Sequence, residues 1–492
     1  MQKNIFISAT IANWFSILNI SLYNIISVPI ILSKWDVEKF GAWILLNSIL
    51  TYLYLLNLSL EEFTYSENLK IGKKKITLIS KNISNGIFFS LIISFISLIA
   101  IFILNKFSNF ELINVKNIHL LDFTKSIFAY LLFTTFTYSI LPFISDALII
   151  YGYQHFFIWF RSINKFISNL GAIISIYYFN TSIFETVLNI IILESIGYSF
   201  IYYFSFKICK KIKLNFKNIN FKYALNNFVK SILVFINKIL ITLTDNGFRI
   251  IISNMTSIGL LAIFTVTRTI VNAFMQSINS LSEPIMPHLM RTIAEKEYVK
   301  LNNYLNLYFI FISILFFPLL LIINLFIKDI FNYWTLQKIL FDDLLYFFLI
   351  GGVLIYSLGL PFKLLITGNN LNKEKIIINI ISILIMFILL IFFFNKLSLI
   401  SFGLGIFVFE LTTFFLNFLL VKNFFKKKLI NINFKIFYIS LIILIITEIL
   451  IFHNLIIKEI SLFLLIIFYL INLKIFLKYF PKNFKLSIKK IK

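Results

Sequence analysis

The sequence predicts an all-α polytopic membrane protein with about 14 transmembrane helices, and two observations indicate that fold class. First, 60% of the 492 residues are hydrophobic, 18% are aromatic and 13% are charged, with a mean hydropathy of +0.93. Soluble domains carry about 25% charged residues, so this composition excludes a soluble globular protein. Second, the apolar residues form runs of about 20, the length that a helix needs to cross a bilayer core of about 30 Å.

Charged or polar clusters separate the apolar runs from one another. The spans lie near 11–32, 41–60, 83–104, 124–145, 157–179, 184–206, 229–252, 257–282, 302–327, 341–362, 376–394, 399–421, 436–452 and 460–477. No small-residue cleavage site follows the first run, so we expect it to remain as a span rather than to act as a signal peptide.

The basic residues lie in short clusters between the apolar runs, a pattern typical of membrane orientation rather than of nucleic-acid binding. Assigning the 45 lysines and arginines to alternate sides places 33 on the side that holds both termini and nine on the other, and the remaining three, Lys238, Arg249 and Arg268, lie within spans. Because cytoplasmic loops carry the excess of lysine and arginine, both termini are predicted to be cytoplasmic. No nucleic-acid partner is expected.

The longest basic connector divides the chain into two halves of six spans each. We predict an N-terminal lobe at 1–206, a cytoplasmic connector at 207–228, a C-terminal lobe at 229–421, and two additional helices with a basic tail at 422–492. A weak similarity between 29–43 and 249–264, each a span end followed by a short turn and a restart, is consistent with repeated halves. Repeated halves with a site between them are a common transporter plan.

Charged residues interrupt the seventh and eighth spans. A charge at membrane depth costs roughly 2.5–3.5 kcal/mol even on the permissive insertion scale, so each needs a reason. On the seventh span Lys238, Asp245 and Arg249 follow steps of seven and four, which place them on one helical face. We call them the seventh-span row. On the eighth span Arg268, Asn272 and Gln276 follow steps of four and form the eighth-span row.

Polar rows at membrane depth must face protein or water. Asp245 offsets only one of the three cations Lys238, Arg249 and Arg268, so the two rows predict a cationic cavity that attracts an anion. The alternative is structural: the charges neutralise one another as contacts between helices, with loop carboxylates reaching in to complete the pairing.

Milder polar rows occur on the first two spans. They consist of Asn13, Ser16, Asn19, Tyr23 and Ser27 on the first span and of Asn47, Thr51, Tyr54 and Glu61 on the second. Amide, hydroxyl and aromatic groups on one wall of a cavity, with cations on the other, would suit a sugar attached to a phosphate.

Other polar residues indicate neither a metal nor a cofactor. Glu194, Glu410 and Glu448 are isolated within spans and are predicted to be satisfied buried carboxylates rather than proton carriers. The histidines lack metal-ligand spacing, and GNNLNK at 368–373 lacks the GK[ST] core of a phosphate loop. No soluble segment is large enough for an ATPase domain, so transport would be driven by an ion gradient, the membrane potential or the gradient of the substrate.

Several segments together resemble a known group of transporters. These are the span and turn at 29–43, EEFTYSENLKIGKKK at 61–75, ALIIYGYQ at 147–154, the core at 244–270, EPIMPHL at 283–289 and LPFKLLITGNNLNKEK at 360–375. In this order they look like the bacterial polysaccharide transporters, the O-antigen or lipid-linked oligosaccharide flippases of the multidrug/oligosaccharidyl-lipid/polysaccharide exporter superfamily. The likeness covers roughly 5–480.

The resemblance implies two six-helix lobes around a central cavity, two added C-terminal helices and alternating access in the bacterial inner (cytoplasmic) membrane. It implies a flippase, not an enzyme, that moves an oligosaccharide on undecaprenyl pyrophosphate from the cytoplasmic to the periplasmic leaflet. Lys238, Arg249 and Arg268 match the cavity cations expected to meet the pyrophosphate. Membrane lipids, a proton or sodium ion for coupling, and other polysaccharide assembly proteins are the expected partners.

Three alternatives stay open. A multidrug/cation antiporter of the same superfamily would need carboxylates to bind a cation, and the first span has none between residues 11 and 32. A peptidoglycan-precursor flippase would share the architecture and the anionic lipid carrier. A membrane polysaccharide polymerase or glycosyltransferase would be expected to have a large external loop, whereas the longest outside loops here lie at about 106–123 and 328–340.

Overall fold

The computed structural model describes residues 2–54, 60–71, 75–108, 117–137, 139–214, 219–282, 289, 292–293, 295–369, 371–427 and 434–456. Within these residues the regular elements are helices, which confirms the predicted all-α class. The chain forms two compact units, unit 1 at Met1–Thr265 and unit 2 at Val266–Lys492.

Unit 1 contains ten helices of the described chain and the start of the next. They are α1 (Gln2–Lys34), α2 (Val37–Tyr54), α3 (Leu60–Ile71), α4 (Ile76–Ser108), α5 (Asn117–Thr137), α6 (Leu141–Leu148), α7 (Gln154–Phe179), α8 (Ile183–Ile212), α9 (Phe221–Thr242), α10 (Phe248–Met255) and α11 (Ile258–Ser282).

Unit 2 contains the rest of α11 and seven further helices of the described chain. They are α12 (Tyr298–Phe311), α13 (Phe317–Leu325), α14 (Ile327–Trp334), α15 (Asp343–Gly368), α16 (Asn372–Leu397), α17 (Ile400–Lys427) and α18 (Lys435–Ile456).

The predicted spans coincide with these helices. Eight helices of the described chain are long and apolar enough to cross a membrane, or nine if the bent pair Phe221–Ile232 and Val234–Thr242 counts as one span. In their described residues the first thirteen predicted spans fall on one helix or on consecutive helices, and the fourteenth, at 460–477, lies outside the described residues. This agreement follows from the bilayer, which leaves a spanning segment no other way to satisfy its backbone polar groups.

Three short π-helical turns interrupt the helices of the described chain, at Ile149–Tyr153, Leu243–Gly247 and Ile312–Phe316. The third directly precedes α13, in which Pro318 lies in the first turn. A proline has no backbone N–H and its ring clashes with the carbonyl four residues earlier, so a widened turn before it is a natural accommodation. The first contains Gly152 with φ +97°, a conformation that glycine adopts without strain.

Polar side chains join the helices of unit 1. In α1 the buried Asn19 Nδ2 donates to the Ser162 carbonyl of α7 at 3.3 Å. Between α7 and α8 the Lys165 ammonium lies 3.0 Å from Glu194 Oε1, and Ser168 Oγ donates to the same oxygen at 3.2 Å. Glu194 Oε1 is therefore partnered, as predicted, but the buried Glu194 Oε2 and Glu448 Oε1 accept no hydrogen bond from the described residues, so the prediction of satisfied carboxylates holds only in part. Because the Asn19 amide nitrogen is used in helix packing, the predicted sugar-binding row of the first span has one donor fewer.

The seventh predicted span packs within unit 1, where α9 contacts α3 and α4, and α10 contacts α2. The start of α11 also approaches α2 closely, because a Cβ on Gly41 of α2 would lie 2.4 Å from the Ile258 carbonyl oxygen. The division into compact units falls inside α11, whereas the predicted lobes divide at the basic connector before α9. The six-plus-six lobes remain a prediction from the span count.

Unit 2 has an aromatic core to which the thirteenth predicted span contributes. Phe437 of α18 lies 5.2 Å from Phe309 of α12, 5.3 Å from Phe362 of α15 and 5.0 Å from Phe418 of α17, measured between ring centroids. Ser440 Oγ also donates to the Phe309 carbonyl at 3.3 Å. The helix that the sequence set apart as an addition therefore packs inside unit 2.

Candidate functional site

The seventh-span row is not carried by one continuous helix. Lys238 lies in α9, the backbone of Asp245 lies in the π-helical turn Leu243–Gly247, and Arg249 lies in α10. A π-helical turn contains more residues than an α-helical one, so a spacing of four no longer keeps side chains on the same face across it. The side chain of Asp245 lies outside the described part of the chain.

Lys238 has a carboxylate partner that the sequence did not identify. Its Nζ lies 2.8 Å from Glu62 Oε1 in α3, and the two side chains are 34% and 48% exposed. The structural alternative predicted this kind of pairing, in which a carboxylate from outside the spans neutralises a cation. Glu62 lies just beyond the end of the second predicted span. The pair neutralises one of the three cations and so reduces the predicted surplus of positive charge.

Arg249 lies in the first turn of α10, just after the π-helical turn. Its Nη1 lies 3.4 Å from Asn246 Oδ1, and the residue is half-buried. The π-helical turn is packed against α2, because Tyr52 Oη donates to the Thr242 carbonyl at 3.4 Å and would lie 2.7 Å from a Cβ on Gly247. Tyr52 therefore contacts the backbone at both ends of the turn, at Thr242 and at Gly247.

The eighth-span row lies on α11, within unit 2. Arg268 is 7% exposed, and Asn272 and Gln276 are half-buried. Successive members are four residues apart on an unbroken helix, so they lie on one face as predicted. Three residues beyond Gln276, Asn279 Oδ1 accepts a 2.6 Å hydrogen bond from Tyr356 Oη of α15. This bond connects the end of the row to the helices of unit 2.

The described residues do not form a metal centre. A group of three or more histidine, cysteine, aspartate or glutamate side chains that could hold a metal ion does not occur among them. What the two rows offer is guanidinium and amide donors within apolar helices. Guanidinium groups form charge-assisted, bidentate hydrogen bonds with phosphate and carboxylate oxygens, which is the chemistry of an anion site.

The fold is similar to that of solved MATE transporters. No family model matches the sequence, and no curated protein matches it. The structure is similar to the inward-facing conformation of a multidrug resistance MATE family transporter of the MOP superfamily, with 15% identity, 83% of this chain and 94% of that chain covered, and a TM-score of 0.60.

Two further solved structures agree. MATE in complex with MaL6 has 14% identity, covers 87% of this chain and 97% of its own, and gives a TM-score of 0.59. The MATE multidrug transporter DinF-BH has 13% identity, covers 86% of this chain and 95% of its own, and gives a TM-score of 0.56. Identities this low establish the fold and not the substrate. The predicted superfamily and its oligosaccharide branch therefore remain predictions, and the comparisons show the fold.

Proposed function

We propose that this chain is a membrane transporter that moves an anionic, lipid-linked oligosaccharide on undecaprenyl pyrophosphate by alternating access. The observation that carries the proposal is the sign of the charge in its spans. Lys238 is matched by Glu62, and Arg249 and Arg268 bring two guanidinium groups into the seventh and eighth predicted spans. Two guanidinium groups at membrane depth favour an anionic cargo, because an anion offsets their desolvation.

In this proposal the two arginines bind the cargo, and the ion pair of Lys238 and Glu62 holds α9 against α3. Within unit 2, Arg268 would hold phosphate oxygens, while Asn272 and Gln276 would donate hydrogen bonds to phosphate or sugar oxygens. Within unit 1, Arg249 is proposed as a ligand for the same class of anion. The π-helical turn before Arg249 interrupts the regular α-helical winding next to this guanidinium, and such turns are frequent at functional sites. A proton or sodium ion would supply the driving force, and transport would proceed from the cytoplasmic to the periplasmic leaflet of the bacterial inner membrane.

A second candidate is a multidrug/cation antiporter, and the structural comparisons favour it over the glycan flippase. Both of the multidrug transporters described above share the fold over most of their length. Cation export would require carboxylates in the cavity, and residues 11–32 of the first span contain none. The charge of the rows therefore favours an anionic cargo, whereas the similar solved structures favour a drug or cation as cargo.

Complementation separates the two candidates. In a strain of the source bacterium that lacks the gene, Arg249→Gln and Arg268→Gln are expected to abolish surface polysaccharide at normal protein level, whereas the wild type restores it. Lys300→Gln is the matched control, because this lysine is 62% exposed and pairs with Glu297 next to it on the surface. Normal polysaccharide in both arginine variants, together with wild-type-dependent resistance to cationic drugs, would replace the first proposal with the second.

A further inference from the structure

Unit 2 contains a cavity bordered by α15, α16 and α17. Its water-accessible volume is about 40 Å³, and it is partly open to the surroundings. Its polar lining includes Lys363, Lys375, Asn379, Glu410, Thr413 and Asn417, and aromatic and aliphatic side chains complete the wall. The three helices pack closely against one another, so the cavity is a feature of a single compact unit.

Two of these helices present polar groups to the cavity at helical spacing. Lys375 and Asn379 are four residues apart on α16, and Thr413 and Asn417 are four residues apart on α17. Thr413 and Asn417 are each 9% exposed, so their side chains lie deep in the wall. Thr413 Oγ1 donates to the Glu410 carbonyl of its own helix at 3.0 Å, so the donors that these pairs offer to an occupant are Lys375, Asn379 and Asn417.

The cavity has more positive than negative charge. Two ammonium groups and one carboxylate line it. Neither Lys363 nor Lys375 forms an ion pair with a carboxylate of the described residues. Lys363 Nζ lies 5.0 Å from the centroid of the Tyr356 ring. This cation–π contact stabilises the position of the ammonium group but leaves its positive charge in place. An anion in the cavity would supply the missing charge.

The donor set suits phosphate. Two ammonium groups and two amides provide donors for several oxygens of one tetrahedral group, and lysine is a common phosphate ligand that acts as a point charge. The connection between α15 and α16 contains the GNNLNK segment, which lacks the features of a phosphate loop. Lys363, before this segment, and Lys375, after it, line the same cavity.

The cavity is also connected to the eighth-span row. Tyr356 lines the cavity and donates the hydrogen bond to Asn279, which follows Gln276 by three residues on α11. Side chains three residues apart on a helix are neighbours. One hydrogen bond therefore links the cavity wall to the helix that carries the row, within unit 2.

We propose that this cavity binds a phosphate or pyrophosphate group carried on a membrane lipid, with Lys363 and Lys375 as its charged ligands and Asn379 and Asn417 as amide donors. The inference rests on the proposed anionic cargo and adds a second subsite for it, separate from Arg249 and Arg268. An anionic membrane lipid has the same headgroup chemistry, so the experiment compares the two sources.

The first test uses the unmodified full-length protein in nanodiscs of phosphatidylcholine. Lysines are acylated with and without undecaprenyl pyrophosphate, and the extent of modification is read at each site by mass spectrometry. We expect at least fivefold protection of Lys363 and Lys375. Lys373 is the internal control, because it is exposed in the same segment and does not line the cavity. Equal modification of all three lysines with and without the ligand would overturn the inference.

The second test identifies the source of the phosphate. Replacing part of the phosphatidylcholine by phosphatidylglycerol should protect the two lysines less than twofold. Equal protection by phosphatidylglycerol would overturn the assignment of the cavity to the cargo. Binding of undecaprenyl pyrophosphate should weaken at least tenfold in the double variant Lys363→Gln, Lys375→Gln and less than twofold in Lys373→Gln. Unchanged affinity in the double variant would also contradict the proposal.

The two proposals fail in different ways. Loss of surface polysaccharide in Arg268→Gln, combined with unprotected lysines in the wild type, would overturn the cavity subsite alone. Protected lysines in a protein whose arginine variants still export polysaccharide would overturn the proposed role of the arginines alone.

Discussion

At the residue scale, Gly41 allows α2 to approach the start of α11. A Cβ at this position would lie 2.4 Å from the Ile258 carbonyl oxygen and 2.5 Å from Ile258 Cγ2. Because backbone cannot move aside as a flexible side chain does, Gly41→Ala should destabilise the protein by about 1–3 kcal/mol. Thermal unfolding of the detergent-purified protein measures this effect.

Gly259→Ala is the control for this substitution. The nearest neighbour of a Cβ at Gly259 is Ser257 Oγ at 3.9 Å, so the new methyl group has room. Alanine also favours helix over glycine, by about 1 kcal/mol in a helix interior and less near an end. The control variant should unfold at the wild-type temperature or slightly above it, and an equal loss in both variants would refute the close-approach argument.

The pair of Lys238 and Glu62 makes a second residue-scale prediction. Both side chains are partly exposed, so their coupling energy should be about 0.2–1 kcal/mol in a double-mutant cycle of Lys238→Gln and Glu62→Gln. The charge-reversed double variant, Lys238→Glu with Glu62→Lys, should recover most of the stability lost in either single reversal. Additive losses in the reversed pair would show that the contact does not form.

Some of these residues could be predicted from the sequence and some could not. The spacing of Arg268, Asn272 and Gln276 predicts their shared face because α11 is unbroken. The spacing of Lys238 and Arg249 does not, because the π-helical turn between them leaves no mark in the composition. Glu62 was missed as a partner because it is far from Lys238 along the chain and only the packing of α3 on α9 brings them together.

At the element scale, the question for α18 is whether its apolar side chains pack in the core of unit 2 or face lipid. Phe437 is 2% exposed and lies among rings of α12, α15 and α17. Phe437→Ala should leave a cavity and cost about 2 kcal/mol or more, less than in a soluble core because the unpacked state still lies in an apolar medium. The decrease in unfolding temperature in detergent gives the measurement.

Phe392→Ala in α16 is the matched control, since that ring is 74% exposed. Its removal should change the stability by no more than about 0.5 kcal/mol. Equal effects of the two substitutions would place α18 outside the core of unit 2.

The span boundaries were predictable because apolar length alone determines them. Which face of a span is buried was not predictable for α18, because lipid and protein interior select the same apolar residues. Pro318 gave a local signal for the third π-helical turn, whereas the turn at Leu243–Gly247 has no proline. Its position could only come from the structure.

At the scale of the whole molecule, the asymmetry of basic residues predicts the orientation of the chain. Val299 lies in a predicted cytoplasmic loop and Leu340 in a predicted outside loop, and they are 78% and 79% exposed. A cysteine at each position, in a Cys209→Ala background that removes the single native thiol, allows a direct comparison. In intact cells a membrane-impermeant maleimide should label Leu340→Cys and spare Val299→Cys until the membrane is opened. The reverse pattern would invert the predicted topology.

The central claim is that a MATE-like fold here carries an anionic lipid-linked glycan. It is tested most directly by reconstituting the full-length protein in liposomes with undecaprenyl-pyrophosphate-linked oligosaccharide, and by measuring how fast the inner-leaflet glycan becomes accessible to a glycosidase added outside. We expect the wild type to expose the glycan at least tenfold faster than empty liposomes and Arg268→Gln to match the empty liposomes, with no movement of a cationic dye. Transport of the dye together with a glycan that stays in its leaflet would contradict the claim.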